Sequence, residues 1–245
     1  MVQPGILLNG VALAPDLSGA LFWPDRGWLV VADLHLEKGS GFAARGQLLP
    51  PYDTGATLSR LEDACRRLRP ARVISLGDSF HDRAAADRVA PADGRRIAAL
   101  TAGHDWVWIA GNHDPKPPDQ WGGRVAEEIV EGALVFRHAA LPGPVAGEVS
   151  GHYHPKAGVR VRGRRVGGRC FACDGDRLIL PAFGAYAGGL NVLDPAVAGL
   201  FRRDFQVWII GRDRLYPFPA ARLEPDAESA TRTAARATPA ATRAR

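Results

Sequence analysis

Trp28-Leu29-Val30-Val31-Ala32-Asp33-Leu34-His35 decides the fold. The first five residues form a short apolar run rich in β-branched and aromatic side chains, which reads as a buried strand. The run stops on a carboxylate and an imidazole two positions apart. The same grammar recurs twice. Val73–Leu76 leads into Gly77-Asp78-Ser79-Phe80-His81, and Trp106–Ala110 leads into Gly111-Asn112-His113-Asp114. Three buried strands, each ending on polar side chains, put chemistry on loops at the carboxyl ends of a sheet.

Helix patterns fill the intervals. Leu58, Leu61, Cys65 and Leu68 recur at helical spacing, so a helix is expected over roughly Thr54–Leu68, capped by Asp53 or Thr54 and stopped by Pro70. A second is expected from about Ala92 to Thr101. The order strand–helix–strand–helix–strand is a βαβαβ start. The second half reads as short strands: Leu134–Arg137, Glu148–Ser150, Val159–Arg162, Arg165–Phe171 and Arg177–Leu180, with a turn at Gly163. The expected fold is α/β, with two mixed sheets packed face to face and flanked by helices.

Composition bounds the rest. The chain has 245 residues, 46% of them hydrophobic, enough for a sizeable core. The formal charge is +5. In residues 220–245 five arginines face three acids, which gives 5 − 3 = +2 and leaves +3 for the remainder. A polyanionic partner must therefore be argued from local clustering. The domain is expected to span 1–219, with 220–245 a disordered Ala/Arg/Thr/Pro tail that has too few large apolar residues to fold. Three cysteines, Cys65, Cys170 and Cys173, do not make a disulfide framework. Cys170 and Cys173 form a CxxC without a second pair, and core thiols are the expected reading. No signal peptide and no bilayer-spanning run are visible, so a cytoplasmic protein without a membrane partner is expected.

Two further pieces complete the polar set: His138, and Gly151-His152-Tyr153-His154. Asp33, His35, Asp78, Asn112, His138, His152 and His154 are the candidate metal ligands. Seven hard or borderline donors are too many for one ion and suit a pair, with Asp78 as the natural bridge. In extended geometry, Asp33 and His35 would share one side of the chain, as would His152 and His154. Carboxylate, imidazole and amide donors fit Mn²⁺, with Fe²⁺ or Zn²⁺ as alternatives. Taken singly, Asp-x-His is common, Asn-His-Asp is an ordinary turn, and a lone histidine is more often a satisfied core residue. The joint order at strand ends is what carries the reading. His104-Asp105 lacks that context and reads as a surface turn. Two ions would lower the pKa of a shared water enough to yield hydroxide at neutral pH, which would attack phosphorus in line. His113, next to Asn112 but not needed as a ligand, is the candidate acid for the leaving oxygen, with Asp114 to orient it.

These motifs resemble the calcineurin-like metallophosphoesterase superfamily, from about Asp33 to His154. The resemblance implies one metal held by Asp33, His35, Asp78 and His154, and another by Asp78, Asn112, His138 and His152. Residues 77–81 resemble the nuclease branch typified by the Mre/SbcD double-strand-break enzymes, which makes His81 a further catalytic candidate near the scissile phosphate. No long helical segment follows to cap the site and align duplex DNA, which argues against processive double-strand exonuclease action. Ala32–Gly39, Arg169-Cys170-Phe171 and Leu178–Asn191 resemble the ligase-associated DNA damage response endonucleases (PdeM). That resemblance implies DNA repair beside a DNA ligase and a helicase. Arg160, Arg162, Arg164 and Arg165 offer a basic strip for nucleic acid, with Arg160 and Arg162 expected on one face of a strand. A charged, solvated sheet edge is the competing reading. The expected activity is a two-metal phosphodiesterase acting on DNA. Its rivals are a small-molecule phosphatase or nucleotide phosphodiesterase with the same site, and a DNA-binding repair subunit with vestigial chemistry.

Overall fold

The computed structural model describes residues 5–116, 119–202 and 204–226. The first sheet runs, in spatial order, β1 (Ile6–Leu8), β2 (Val11–Pro15), β3 (Leu21–Trp23), β4 (Trp28–Val31), β5 (Arg72–Ser75), β6 (Asp105–Ile109) and β7 (Arg124–Ala126). Strands β1 to β4 pair antiparallel, and β4 to β7 pair parallel. The second sheet is built from β8 (Glu128–Glu131), β9 (Leu134–Arg137), β10 (Glu148–Ser150), β11 (Lys156–Val161), β12 (Arg164–Cys173), β13 (Arg177–Ile179), β14 (Gln206–Ile210), β15 (Leu215–Pro219) and β16 (Leu223–Glu224). Within it, β9, β10 and β13 are parallel neighbours.

The period-2 alternation of the buried strands sorts the core into layers. Val30, Ile74 and Val107 face inward against Phe136, Val149, Phe171 and Leu178 of the second sheet. Leu29, Val31, Val73, Trp106 and Trp108 face outward. There they meet Leu58, Leu61 and Cys65 of one crossover helix, and Ile97 and Leu100 of a second. In chain order the helices are α1 (Lys38–Ala43), α2 (Asp53–Leu68), α3 (Ala85–Arg88), α4 (Pro91–Ala102) and α5 (Pro195–Ala198). Over the second sheet's outer face, Ala157, Val159, Cys170, Ala172 and Val207 pack beneath Val192, Val197 and Phe205. The two mixed sheets and their helices are the expected architecture.

Three local expectations differ. Neither Asp53 nor Thr54 caps α2. Its N-cap is Tyr52, without a side-chain cap bond. Asp53 instead accepts from the Gly39 amide (2.9 Å), and Thr54 donates to Glu37 (2.9 Å), because α1 leaves its own amides to be satisfied there. Arg162 is not on a strand face. With Gly163 it forms the two-residue hairpin turn between β11 and β12, and both residues have the positive φ that such a turn requires (49° and 78°). Third, the fold does not stop at Pro219: a turn at Ala220–Arg222 leads into β16, which pairs with β11. The rest of the expected tail, 227–245, lies outside the described residues.

The three cysteines are free and buried. Cys170 and Cys173 are three apart on β12 and join opposite core layers, so they cannot chelate one ion. Burial pushes both thiols up, Cys173 to about 11. His104 follows α4 in a bend, its Nδ1 2.8 Å from the Leu100 carbonyl, while Asp105 opens β6 and is bound by Arg72 (2.6 Å).

Candidate metal centre

All seven candidate ligands lie just beyond the carboxyl ends of parallel strands: Asp33 and His35 after β4, Asp78 after β5, Asn112 after β6, His138 after β9, and His152 and His154 after β10. Backbone bonds lash these loops together. The Asp33 and His35 amides donate to Gly77 and Asp78 carbonyls (3.3 and 2.9 Å), and the Gly151 amide donates to the His138 carbonyl (2.9 Å). Gly77 and Gly111 are where the loops touch. A Cβ on Gly77 would lie 2.5 Å from His138 Nδ1, and one on Gly111 would collide with the Asp78 amide and carboxylate.

The side chains do not converge by extended geometry. Asp33, His35, Asp78, His152 and His154 all have positive φ, from 44° to 70°. Left-handed backbone is uncommon for residues with a Cβ and carries strain that the surrounding structure must hold in place. Each loop turns sharply at its ligand, and the strain is concentrated at the site.

Two groups of donors result, Asp33–His35–His154 and Asp78–His138–His152. In the first, His35 Nε2 is 3.2 Å from His154 Nε2, which is 3.4 Å from Asp33 Oδ1. In the second, His138 Nε2 is 2.8 Å from Asn112 Oδ1, 3.1 Å from His152 Nδ1 and 3.5 Å from Asp78 Oδ2. His138 donates its Nδ1–H to the Leu76 carbonyl (2.8 Å). A carbonyl only accepts, so the neutral ring presents a lone pair at Nε2. That lone pair faces an amide oxygen and a carboxylate oxygen, an arrangement that a divalent cation among them would satisfy. Asp33 Oδ1 and His35 Nδ1 are buried without a hydrogen-bond partner among the described residues, and Asp33 is 0% exposed. Orphaned donor atoms and converging lone pairs fit divalent metal at both groups. Burial and the nearby His154 and Lys38 hold the His35 imidazole down to about 2, and burial and His138 lower His152. Both rings are thereby kept in the neutral form that binds metal.

His113 lies at the mouth, its side chain 41% exposed, with Nε2 3.9 Å from Asp78 Oδ2. Its Nδ1–H donates to the His81 carbonyl (2.8 Å), and its ring stacks on His81. The expected orientation of His113 by Asp114 does not occur. Asp114 accepts from the Ser79 and Phe80 amides (2.9 and 3.1 Å) and holds the loop after β5. Burial raises its carboxyl to about 7. His81 lies between Phe42 and His113, lowered to about 4 by burial and the positive charge of Lys38. Lys38 and Phe42 are site neighbours that no spacing rule singles out, because α1 is too short to carry a pattern. Glu37 locks the same turn, accepting from Ser40 (2.6 Å) and Thr54.

The arginine strip is partly neutralised. Arg160 is bound by Glu224 (2.8 Å) and Arg165 by Asp226 (2.5 Å), both from the segment after β15. Arg162 and Arg164 stay exposed at the hairpin tip, about 20 Å along the strand from Lys156 at 3.3 Å per residue.

The model of the calcineurin-like phosphoesterases matches residues 28–176, more than half of the chain and every candidate ligand. The chain belongs to this family. It is a metal-dependent phosphoesterase of a family with a dinuclear metal site. Among solved structures, the nuclease MPE of Pseudomonas putida is similar at 28% identity and TM-score 0.67, over 88% of this chain and 99% of that one. The phosphoesterase YfcE of E. coli follows at 13% identity and TM-score 0.36, over 74% and 87% of the two chains. A predicted phosphoesterase of Streptococcus pneumoniae TIGR4 is similar at 14% and 0.31, over 78% and 96%. No curated protein matches. Among the described residues, no helix is long and apolar enough to cross a membrane.

Proposed function

We propose that the chain is a two-metal phosphodiesterase that cuts DNA, an endonuclease of DNA repair in the cytoplasm. The likeness to a nuclease over almost the whole of both chains carries this reading. The resemblance of Ala32–Gly39 and Leu178–Asn191 to the ligase-associated damage-response enzymes supports the repair role, with a DNA ligase and a helicase as partners. Asp33, His35, Asp78 and His154 would hold one ion and Asp78, Asn112, His138 and His152 the other, Mn²⁺ being the best fit to this donor set. When bound, such ions supply an activated water and positive charge beside the phosphate oxygens.

The protein's own groups do the rest. His113 keeps Nδ1–H on the His81 carbonyl, so Nε2 is the atom that carries a proton to the leaving oxygen. His81, stacked against His113, fixes that ring and borders the phosphate. Asp114 holds the loop that carries Asp78. His113→Ala should retain both metals and lose turnover by roughly 10²–10⁴-fold. Metal analysis alongside the rate checks this, and a loss of metal would make His113 a ligand instead.

The direct test is metal-dependent cleavage of a labelled panel of single strands, flaps and gaps, beside bis-p-nitrophenyl phosphate and mononucleotides. Cleavage of the DNA panel is expected. Hydrolysis of mononucleotides alone would turn the reading to a small-molecule phosphatase.

A further inference from the structure

The loops carrying His81 and His113 continue into a cleft of about 370 Å³. It is lined by Phe80, Asp82, Arg83, Asp114, Pro115 and Lys116. Arg83 is two residues beyond His81, and Lys116 is three beyond His113. The cleft is thus lined by the same two loops that carry the residues nearest the reacting phosphate in the proposed function.

The charges in the cleft are unevenly engaged. Asp82 is bound by Arg88 (2.8 Å), with Arg45 at 4.0 Å. Asp114 is held by the Ser79 and Phe80 amides. Arg83 and Lys116 are exposed, and neither has an ion pair or hydrogen bond among the described residues. The floor is closely packed: Phe80 is 1% exposed and stacks on Trp121 at 5.2 Å. A volume of this size is at the small end of ligand sites, about 300–1,000 Å³, and suits one nucleotide. The hairpin strip shows the opposite arrangement, with two of its four arginines already bound by acids of the same chain.

We infer that this cleft is a substrate subsite in which Arg83 and Lys116 hold the phosphate of the nucleotide next to the scissile bond. The inference deepens the phosphodiesterase reading and rests on it. It makes the substrate a nucleic-acid strand with at least one phosphate beyond the reacting one, and it runs that strand past His81 and His113, away from the β11–β12 hairpin. An arginine fork and a lysine point charge on one phosphate form charge-assisted bonds that a small diester does not need.

The experiment compares kcat/KM on a single-stranded oligonucleotide with that on bis-p-nitrophenyl phosphate, in Mn²⁺, as a ratio. Arg83→Ala/Lys116→Ala should lower the ratio roughly 10- to 100-fold, the worth of one or two charged contacts. The salt slope of oligonucleotide binding should flatten by about 0.7 for the single-strand phosphate lost. Arg83→Lys/Lys116→Arg should keep most of the ratio. An unchanged ratio in the alanine variant overturns the subsite. So does an equal fall in Arg95→Ala/Arg212→Ala, two exposed arginines on α4 and after β14, since any lost surface cation would then suffice. Failure of the underlying reading looks different: wild-type protein that hydrolyses neither diester contradicts the phosphodiesterase assignment itself.

Discussion

Two buried polar clusters in this molecule are built on opposite terms. Glu148 and Arg177, 0% and 1% exposed, satisfy each other. Arg177 donates to Glu148 at 2.5 Å and to the carbonyls of Leu141 (2.5 Å), Gly143 (3.3 Å) and Leu200. The other oxygen of Glu148 accepts from the Leu141 amide (3.0 Å). Around Asp33, by contrast, a buried carboxylate oxygen is left without a hydrogen bond, and five ligand residues have left-handed backbone. A buried charge must be paired or it costs several kcal/mol. The first cluster is completed by protein. The second is incomplete without cations, and that difference separates a structural pair from a metal centre when both are buried, polar and close-packed.

The largest effect is expected at the structural pair. Glu148→Ala strands the Arg177 charge and should cost about 3–5 kcal/mol in chemical denaturation. The effect should be the same with or without Mn²⁺. A loss that appears only in metal would mean that this pair belongs to the site.

Asp33→Ala should behave in the reverse way. Without metal it should cost no more than about 1–2 kcal/mol, since one amide bond to Asp33 Oδ2 is lost along with an unpaired oxygen. At Mn²⁺ a hundredfold above the dissociation constant, the wild type should gain about 2.7 kcal/mol, and the variant should lose most of that. Denaturation with and without Mn²⁺ reads both. An undiminished gain in the variant would remove Asp33 from the ligands.

The smallest effect falls on a pair at the surface. Burial alone would raise the Asp16 carboxyl, but hydrogen bonds from Arg67 and Ser18 outweigh it and hold it below its ordinary 3.8. A lowered folded value gives stability that is full above the ordinary value and is lost as pH falls through the folded one. Asp16→Asn should therefore cost less than about 1 kcal/mol at neutral pH, a cost that vanishes in acid below the folded value. A cost that persists there would show that the charge is not its source.

How much of this was legible in the sequence depended on pattern length. Trp28–Ala32 and Val73–Leu76 are long enough to read as strands. Helix α2 announces itself through Leu58, Leu61 and Cys65. Three-residue strands such as β1, β3 and β7 carry no readable alternation. Strand β14 carries Val207-Trp208-Ile209-Ile210, as legible as Trp28–Ala32. The donor types were legible because chemistry restricts them. The way they converge was not, since Asp and His do not advertise left-handed backbone as glycine does. Nor was the pairing of Arg160 and Arg165 with Glu224 and Asp226, which are about sixty residues away in sequence. The orienter of His113 was hidden for a different reason: it is the backbone carbonyl of His81, which every residue type supplies equally.

These loops are proposed to hold two ions and to share Asp78 between them. Elemental analysis of Mn²⁺-loaded protein, run with diester hydrolysis on the wild type and Asp78→Ala, tests this most directly. Two ions per wild-type chain are expected, with fewer ions and no turnover in the variant. One ion per wild-type chain, with Asp78→Ala still active, would contradict it.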